Sequence, residues 1–309
     1  MNKIVAIQAD PIEEINPKTD TTLLLALEAQ KRKHRIYWFE SKDLSFINSK
    51  LFADVKELRL FSNDKKYFKI IRKKKFNLSS SKVILIRQDP PFNIDYINST
   101  LLLDTIKNRT KIINNPESVR NISEKLFSIK FMQLMPPTIF TKNLNEIINF
   151  YQKHKKIVLK PVNGYAGKNI YFINRKLNLG ALRKYLGKTG FVMVQKFLPL
   201  VKHGDKRVFI INGKVVGAIK RVPSKNSILS NISQGGKAFK TNLNKFEKKV
   251  SNHVAKVLKK NNIYFAGIDL ISEKLIGDIN VTSPTGLIQF KQLTGINLAE
   301  YFWDRLKLK

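Results

Sequence analysis

The feature that most constrains this chain is an acidic side chain inside an apolar run, in the segment AGIDLISEKLIGDINVTSPTG (266–286). Residues 264–271 are apolar except for Asp269 and predict a buried strand. An unpaired buried carboxylate is costly, so a cation should lie beside Asp269. A short turn leads to a second strand, in which Asp278 and Asn280 share one face. The fold must therefore bring positive charge to this hairpin.

The same hairpin is a candidate metal site. Asp269, Asp278 and Asn280 offer oxygen ligands only, without His or Cys. Such hard donors suit Mg²⁺, with Mn²⁺ as a substitute, and Mg²⁺ is commonly completed by water and by substrate phosphates. The site thus implies a nucleotide. The competing interpretation is a plain β-hairpin whose acidic groups are solvated or bonded to turn amides, and the spacing alone does not exclude it.

The amino-terminal part alternates strands and helices. Strand-like runs occur at KIVAIQA, HRIYWFE and SSKVILI, and Asp20 precedes the helical stretch TTLLLALEAQKRK as an N-cap. This order predicts an α/β sheet, whose ligands bind beyond the carboxyl ends of the strands. Asp10 and Arg87 follow two such ends. Arg87 is a candidate clamp for a substrate carboxylate, or else forms a structural ion pair.

The middle of the chain carries a lysine and glycine pattern. Pro116 breaks the chain, a domain boundary is predicted near residue 120, and a helix should carry Lys125. The strand KIVLKP ends in Lys160 and is followed by the loop NGYAGKNI, whose glycines allow close backbone approach. Such a loop and lysine could contact phosphates, although the glycines could also serve a tight turn.

Further along, a hinge and a lid are predicted. The strand FVMVQKFLP leaves through the stretch Gln195–Leu198, whose backbone could pair with an adenine edge. A hairpin built on GDKRVFIINGKVVGAIKR comes next, and a helix from Leu243 to about Lys260 is predicted beyond it. The long polar loop between them, residues 224–236, is either a lid or an ordinary connection.

The composition excludes several classes. No apolar run has membrane length, and the opening MNKIVAIQAD reaches Asp10 too early for a signal peptide. The absence of cysteine excludes disulfides, thiolate metal sites and a cysteine nucleophile, and it fits the cytoplasm. The net charge of +34 favours anionic substrates. Because the lysines are spread out, we expect no nucleic-acid site, and the densest cluster, residues 65–75, is interpreted as a solvated face between elements.

Several motifs together resemble those of ATP-grasp ligases, and more closely of bacterial glutathione synthetases: EKLF, VLKPVNGYAG, GDKRVF, GID, DINVTSPTG, DPI and RQDPPF. The likeness runs from the first strand to about residue 287. It implies an ATP-grasp fold with an amino-terminal pre-ATP-grasp α/β domain. The implied domains are an amino-terminal α/β substrate domain at 1–120, a central lid domain at 121–198 and a carboxyl-terminal catalytic domain at 199–309.

The resemblance also implies roles for individual residues. The ATP-binding residues would be Lys125, Lys160, Gly164, Gly167, Gln195, Lys196, Phe197, Leu198 and Asp205. Arg207 and Lys160 would be catalytic, and Asp269, Asp278 and Asn280 would hold Mg²⁺. Substrate-binding residues would be Arg87, Asn231, Gly235, Gly236, Ser283 and Thr285.

The implied reaction joins γ-glutamylcysteine and glycine at the expense of ATP, through an acyl phosphate. The substrate supplies the nucleophile, which explains why no Ser, Cys or His triad is visible. A cytoplasmic homo-oligomer, such as a tetramer, is also implied. The alternatives are an ATP-grasp ligase for another acid and amine, and a basic binding protein that has lost catalysis.

This chain departs from the family pattern at a few positions. Asp278 stands where the family has glutamate, with one extra residue between it and Asp269. Ala166 replaces a loop glycine, and Leu229 occupies a lid position where arginine is expected. Ile288 and Gln289 replace a basic and acidic pair. These changes concern substrate and lid positions rather than the nucleotide positions.

Overall fold

A computed structural model describes residues 3–63, 65–224 and 235–308 of the protein. The strands of these residues form three sheets, each built from one contiguous part of the chain. None of the helices in these ranges combines the length and the apolar composition of a membrane-spanning segment. Asn231 and Leu229 of the predicted lid lie outside the described residues.

The first sheet lies in the amino-terminal part. Its elements are β1 Ile4–Gln8, α1 Thr21–Lys31, β2 Arg35–Phe39, β3 Leu44–Ile47, β4 Lys50–Leu60, β5 Phe68–Asn77, β6 Val83–Ile86, α2 Ile94–Asp104, β7 Lys111–Ile113 and α3 Pro116–Asn121. The strand order is β3-β4-β2-β1-β6-β7, with β5 on the other side of β4. Because β2, β1, β6 and β7 are parallel, their carboxyl ends meet at one edge, as predicted.

The lysine-rich segment, residues 65–75, is predicted from the sequence to lie between elements, and this prediction is wrong. It forms β5, which pairs with β4 along most of its length and leaves its other edge unpaired in the described part of the sheet. Glu57 of β4 accepts hydrogen bonds from Arg72 (2.6 Å) and Arg35 (2.8 Å), and Lys74 lies over the rings of Tyr37 and Phe76. The charged side chains of this segment thus lie on a strand, where they contact aromatic rings or form ion pairs, and do not project from a loop.

The second sheet holds the predicted lysine and glycine segment. Its elements are β8 Thr138–Thr141, α4 Leu144–His154, β9 Ile157–Pro161, β10 Tyr171–Ile173, α5 Leu179–Thr189 and β11 Val192–Lys196, in the strand order β10-β9-β11-β8. A 3₁₀ helix, Leu126–Leu134, precedes this sheet. The prediction that a helix carries Lys125 is wrong, because α3 ends at Asn121 and Lys125 caps the 3₁₀ helix instead.

The third sheet is antiparallel and carries the acidic hairpin. Its elements are β12 Asp205–Ile211, β13 Lys214–Val222, β14 Lys237–Lys240, α6 Lys245–Lys260, β15 Phe265–Ile271 and β16 Lys274–Asn280, followed by α7 Leu287–Thr294 and α8 Leu298–Leu306. The strand order is β14-β13-β12-β15-β16. The predicted NGK turn is confirmed: Asn212 and Gly213 both have positive φ, as a two-residue hairpin turn requires.

Packing joins the first and third sheets. Helices α1, α7 and α8 share one apolar cluster with residues of both sheets, and Trp303 donates from its ring nitrogen to the carbonyl of Leu25 (2.9 Å). The side chain of Asn114, just after β7, donates to the carbonyls of Phe265 (2.7 Å) and Val281 (2.6 Å). These contacts hold the carboxyl edge of the first sheet against the acidic hairpin.

Candidate functional site

A cavity of about 890 Å³ lies where the three sheets meet. Most of the predicted site residues of the described chain line it: Lys125, Lys160, Gly164, Gly167, Gln195, Lys196, Phe197, Leu198, Asp205, Arg207, Asp269, Asp278, Asn280, Ser283 and Thr285. The structure therefore brings the predicted lysines, glycine loop, hinge and acidic hairpin together around one cavity.

Asp278 lies between the two predicted lysines. Lys160 Nζ donates to Asp278 Oδ2 (3.0 Å) and to the carbonyl of Ile276 (2.9 Å), and Lys125 Nζ lies 3.4 Å from Asp278 Oδ1. Burial raises the pKa of Asp278, but the charges of Lys160 and Lys125 outweigh it and hold that pKa below its usual value. Asp278 is thus ionised and neutralised by lysines on either side.

A bulge aims Asp278 at these lysines. The pairing register of β15 and β16 shifts between Ile268 and Leu270. In this interval β16 contains more residues than β15, and the additional residues of β16 form a bulge. Gly277 lies in this bulge with φ +82°, and a Cβ there would come 2.7 Å from the sulfur of Met193. The positive φ favours glycine at this position, and a larger residue would also have to displace the flexible Met193 side chain.

Asp269 has the cationic neighbours that its burial required. Arg207 donates to both of its oxygens (Nε 2.5 Å, Nη2 3.0 Å), and Arg221 Nη2 lies 2.8 Å from Oδ2. Burial raises the pKa of Asp269, yet the two guanidinium groups hold it well below its usual range. Arg221 also makes a bidentate pair with Asp205 (2.7 and 2.8 Å). The cations are therefore the arginines of β12, which pairs with the Asp269 strand, and of β13, the next strand in the sheet.

The oxygen atoms of the hairpin supply only part of the coordination that a hard cation needs. Asp269 and Asp278 are both ionised, and Asn280 lines the same cavity with only a long contact from Thr282 (3.4 Å). Residues 3–63, 65–224 and 235–308 contain no group of three or more His, Cys, Asp or Glu placed to hold a metal. A metal here would need oxygens from a bound ligand, as is common for Mg²⁺ with nucleotides.

The hinge lines the cavity beside an apolar wall. Val158, Ile271 and Ile276 contribute to that wall together with Leu198. The amide N–H groups of Lys196 and Phe197 donate to the carbonyls of Pro137 and Lys156 (both 2.9 Å), and the Gln195 side chain donates to Thr138 (3.0 Å). The first three hinge residues are thus fixed by protein contacts.

The loop after β9 is fixed to the lysine cluster. Lys125 Nζ donates to the carbonyl of Gly164 (2.5 Å), and a Cβ at Gly164 would come 3.1 Å from the carbonyl oxygen of Pro161. Gly167 has φ +76°, and Ala166 has φ +51°, a conformation that costs a non-glycine residue about 1 kcal/mol. Glycine at 164 and 167 thus serves both a tight turn and close approach to the cavity.

Some predicted residues lie elsewhere. Arg87 does not line the cavity: it is 4% exposed, donates to Thr22 Oγ1 and to the carbonyl of Pro284 (both 3.0 Å), and its Nη1 has no partner among the described residues. The structure therefore does not place Arg87 as a direct clamp of a cavity ligand. Gly235 and Gly236 are described but do not contribute to the cavity wall.

Sequence reasoning missed several cavity residues, of which Arg221 is the most informative. A regular hairpin on the NGK turn would place Lys220 opposite Asp205. A bulge between Phe209 and Ile210 shifts the register by one residue and places Arg221 there instead. Glu124 and Asp20 were also missed, although EKLF and the N-cap signal had located both in the chain.

Asp20 gives a pH-dependent prediction. It caps α1 by accepting from Leu23 N (2.6 Å), and burial raises its pKa from 3.8 to about 6. The folded protein therefore holds the Asp20 proton more tightly than the unfolded chain does. This stabilises the fold fully below about pH 4, and the stabilisation is lost as the pH rises through 6. Asp20→Asn keeps a capping oxygen and cannot ionise. We expect it to raise the free energy of unfolding by about 2 kcal/mol at pH 7, and not at pH 4. Urea unfolding at both pH values measures this, and equal stability of the two proteins at pH 7 would contradict it.

The comparisons identify the family. The amino-terminal domain of prokaryotic glutathione synthetase matches residues 4–120, and the ATP-grasp domain of prokaryotic glutathione synthetase matches residues 124–295. Glutathione synthetase of Bradyrhizobium diazoefficiens is 40% identical over 308 residues, covering 99% of this chain and 98% of the relative. That of Buchnera aphidicola subsp. Schizaphis graminum is 35% identical over 317 residues, with 99% and 98% covered.

Solved structures show the same fold. The D-cycloserine synthetase DcsG superposes with a TM-score of 0.68 at 14% identity, covering 98% of this chain and all of that one. D-alanyl-alanine synthetase A from Vibrio cholerae superposes with a TM-score of 0.62 at 12% identity, covering 99% of this chain and 98% of that one. The predicted α/β class and ATP-grasp fold are thus confirmed. On the matches of both domain models, which cover residues 4–120 and 124–295, and on these relatives, the chain belongs to the prokaryotic glutathione synthetase family.

Proposed function

We propose that this protein is an ATP-dependent carboxylate-amine ligase that joins γ-glutamylcysteine to glycine, giving glutathione, ADP and phosphate. The observation that carries the proposal is the cluster of Lys125, Lys160 and Asp278 in a cavity that also holds the hinge and the glycine loop. The relatives named glutathione synthetase support the substrate pair.

The charge arrangement suggests how the nucleotide binds. In the described cluster, the lysines neutralise Asp278 and the arginines neutralise Asp269. Triphosphate oxygens would take Lys125 and Lys160 as partners. Asp269, Asp278 and Asn280 would then hold Mg²⁺, which Mn²⁺ could replace, and the cation would neutralise phosphate charge during transfer. Ion pairs within the protein are thereby exchanged for contacts with the ligand.

The adenine ring would occupy the apolar wall beside the hinge. The backbone N–H of Leu198 has no partner among the described residues, in contrast to those of Lys196 and Phe197, and would donate to the ring. Gly164 and Gly167 would cover the phosphates and exclude water, because an acyl phosphate hydrolyses in the open.

In the reaction, the cysteinyl carboxylate of the dipeptide attacks the γ-phosphate, and ADP leaves. The amine of glycine then attacks the acyl carbon, and phosphate leaves with the former carboxylate oxygen. Arg207 would stabilise the negative charge that develops at the acyl centre. To do so it must share its guanidinium between Asp269 and the substrate, since it bonds both carboxylate oxygens here.

The test is a coupled assay of phosphate release with purified protein, Mg²⁺ and ATP. We expect turnover only when γ-glutamylcysteine and glycine are both present, with glutathione identified by mass spectrometry. Turnover with a different acid and amine, and not with these two, would show that the proposed substrate pair is wrong. Salt-sensitive nucleic-acid binding without any turnover would instead favour a basic binding protein.

We further propose a cytoplasmic homo-oligomer, such as a tetramer. Exposed apolar side chains on the first sheet and on α2 support association: Phe46 is 48% exposed, Ile94 66% and Leu101 49%. Light scattering coupled to gel filtration would measure the mass, and a monomer of 35.6 kDa at micromolar concentration would contradict it.

A further inference from the structure

The turn within the glycine-bearing loop after β9 brings a lysine to the wall of the cavity. Ala166 and Gly167 both have positive φ (+51° and +76°), and the amide of Lys168 donates to the carbonyl of Tyr165 (2.9 Å). Two central residues with positive φ are typical of a type I′ turn, in which the residues on either side lie next to each other. Those residues are Tyr165 and Lys168, and both line the cavity. The turn therefore presents them to a bound ligand as a pair.

The loop that contains this turn is anchored on both sides of it. Before the turn, Lys125 Nζ donates to the carbonyl of Gly164 (2.5 Å). After the turn, the hydroxyl of Tyr185, on α5, donates to the carbonyl of Asn169 (2.8 Å). The first anchor is one of the two lysines proposed to bind triphosphate oxygens, so the turn lies beside the proposed phosphate site. Because the loop is already held, less conformational freedom is lost when a ligand binds.

The side chain of Lys168 is held by Tyr165. Lys168 Nζ lies 4.6 Å from the centre of the Tyr165 ring and donates to its hydroxyl oxygen (3.1 Å). The ring attracts the ammonium group electrostatically, and the hydroxyl accepts one of its three N–H donors. Neither contact neutralises the positive charge, and Lys168 forms no ion pair with any side chain of the described ranges. It therefore keeps its charge and two N–H donors for a ligand.

The cations around the acidic hairpin, by contrast, already face carboxylates. The cations Lys125, Lys160, Arg207 and Arg221 lie beside Glu124, Asp205, Asp269 and Asp278. This cluster thus offers little net positive charge, whereas a nucleotide triphosphate carries more negative charge than one divalent cation offsets. Lys196 also lines the cavity without a carboxylate partner in the described chain, but it lies at the hinge, beside the proposed adenine position. Lys168 is the cation that is unpaired on the phosphate side of the described cavity wall.

We propose that Lys168 binds the polyphosphate group of the nucleotide and that Tyr165 is the residue that positions it. The inference rests on the proposed function, because it assumes that the cavity holds a nucleotide triphosphate. It adds a charged side-chain contact to the cover that Gly164 and Gly167 would provide. Since Tyr165 contacts the ammonium group of Lys168, its substitution should act on nucleotide binding through Lys168.

The experiment measures the Kd of the protein for ATP by calorimetric titration with Mg²⁺ present, and the Kd for adenosine, which lacks the phosphates. Lys168→Met removes the charge and keeps a side chain of similar length. We expect it to raise the Kd for ATP about tenfold, as for the loss of one charged contact, and to change the Kd for adenosine less than about twofold. Lys168→Arg keeps the charge and should bind ATP within about threefold of the wild-type protein.

The matched control is Lys184→Met. Lys184 is exposed on α5 and does not line the cavity. This variant loses the same net charge, so it reports any effect of the overall positive field of the protein on ATP binding. We expect its Kd for ATP to stay within about twofold of the wild-type value. Both lysines are exposed, so neither substitution should change the melting temperature measurably.

A double-mutant cycle tests the role of Tyr165. Tyr165→Phe keeps the ring and removes the accepting oxygen, and Tyr165→Leu removes both. We expect the Kd for ATP to rise about twofold and about fivefold, respectively. In the Lys168→Met background, Tyr165→Leu should have no further effect, because the side chain that it positions is gone. Fully additive losses would show that Tyr165 acts independently of Lys168 and would contradict the positioning role.

The outcomes separate this inference from the proposed function. If the wild-type protein does not bind ATP, both are wrong. If it binds ATP and forms no glutathione, the proposed substrate pair is wrong, and the Lys168 variants still decide the inference. If Lys168→Met binds ATP as tightly as the wild-type protein, or if Lys184→Met weakens ATP binding equally, the inference alone is wrong. Weaker binding of ATP but not of adenosine, with recovery in Lys168→Arg, supports it.

Discussion

Lys160→Met is expected to lower the turnover number by about 100- to 1,000-fold while the protein remains folded. The variant removes the ammonium group that lies 3.0 Å from Asp278 and keeps a side chain of similar length. Lys125, 3.4 Å from Asp278, remains to neutralise the carboxylate, so the ion pair is weakened rather than lost. The lost positive charge should matter most where phosphate charge is redistributed. Steady-state phosphate release measures kcat, and thermal unfolding reports the fold.

Lys156→Met is the control for this prediction. Lys156 is exposed just before β9, whereas Lys160 is 8% exposed near its end. We expect wild-type kcat from Lys156→Met. Near-normal turnover in Lys160→Met would remove this lysine from the proposed chemistry.

Asp278→Asn is expected to reduce turnover by about a thousandfold, corresponding to several kcal/mol of transition-state stabilisation. The substitution removes the charge that Lys125 and Lys160 share and one of the proposed metal ligands. Two buried lysines without their carboxylate should also repel each other and lower the melting temperature. The Mg²⁺ concentration for half-maximal activity should rise in whatever activity remains.

Glu273→Gln serves as the control, because Glu273 lies in the exposed turn of the same hairpin and pairs only with Asn244 among the described residues. It should keep the Mg²⁺ dependence of the wild-type protein. An unchanged Mg²⁺ midpoint in Asp278→Asn would show that this carboxylate does not hold the metal, whatever happens to kcat.

Local patterns in the sequence were sufficient for most elements around the cavity. The apolar runs predicted β1, β2, β6, β9, β11 and β15, and Asp20 and Asn212-Gly213 marked a helix start and a turn. These signals depend on side chains close in sequence, so they survive without knowledge of the fold. The burial of Asp269 likewise predicted a cation beside it, and Arg207 and Arg221 provide it.

The pairing register of the strands and the presence of the edge strand β5 could not be predicted from such local patterns. The bulge in β12 and β13 decides that Arg221, rather than Lys220, faces Asp205, and only tertiary packing fixes such a bulge. β5 was missed because lysines replace the apolar side chains that normally identify a strand, and its stability comes from pairing with β4. Lys125 was placed near the right groups but on the wrong element, since the break after Asn121 has no strong sequence signal.

The lysine-covered edge of β5 has a consequence for the protein in concentrated solution. An open strand edge offers a template on which another copy can add its own strand and begin to aggregate. Here Lys69, Lys73 and Lys75 are exposed along that strand beside Ile71, which is 56% exposed. A second copy approaching edge to edge would meet the same charges, and repulsion would prevent the sheet from growing. The basic strand thereby preserves solubility where an apolar one would promote fibres.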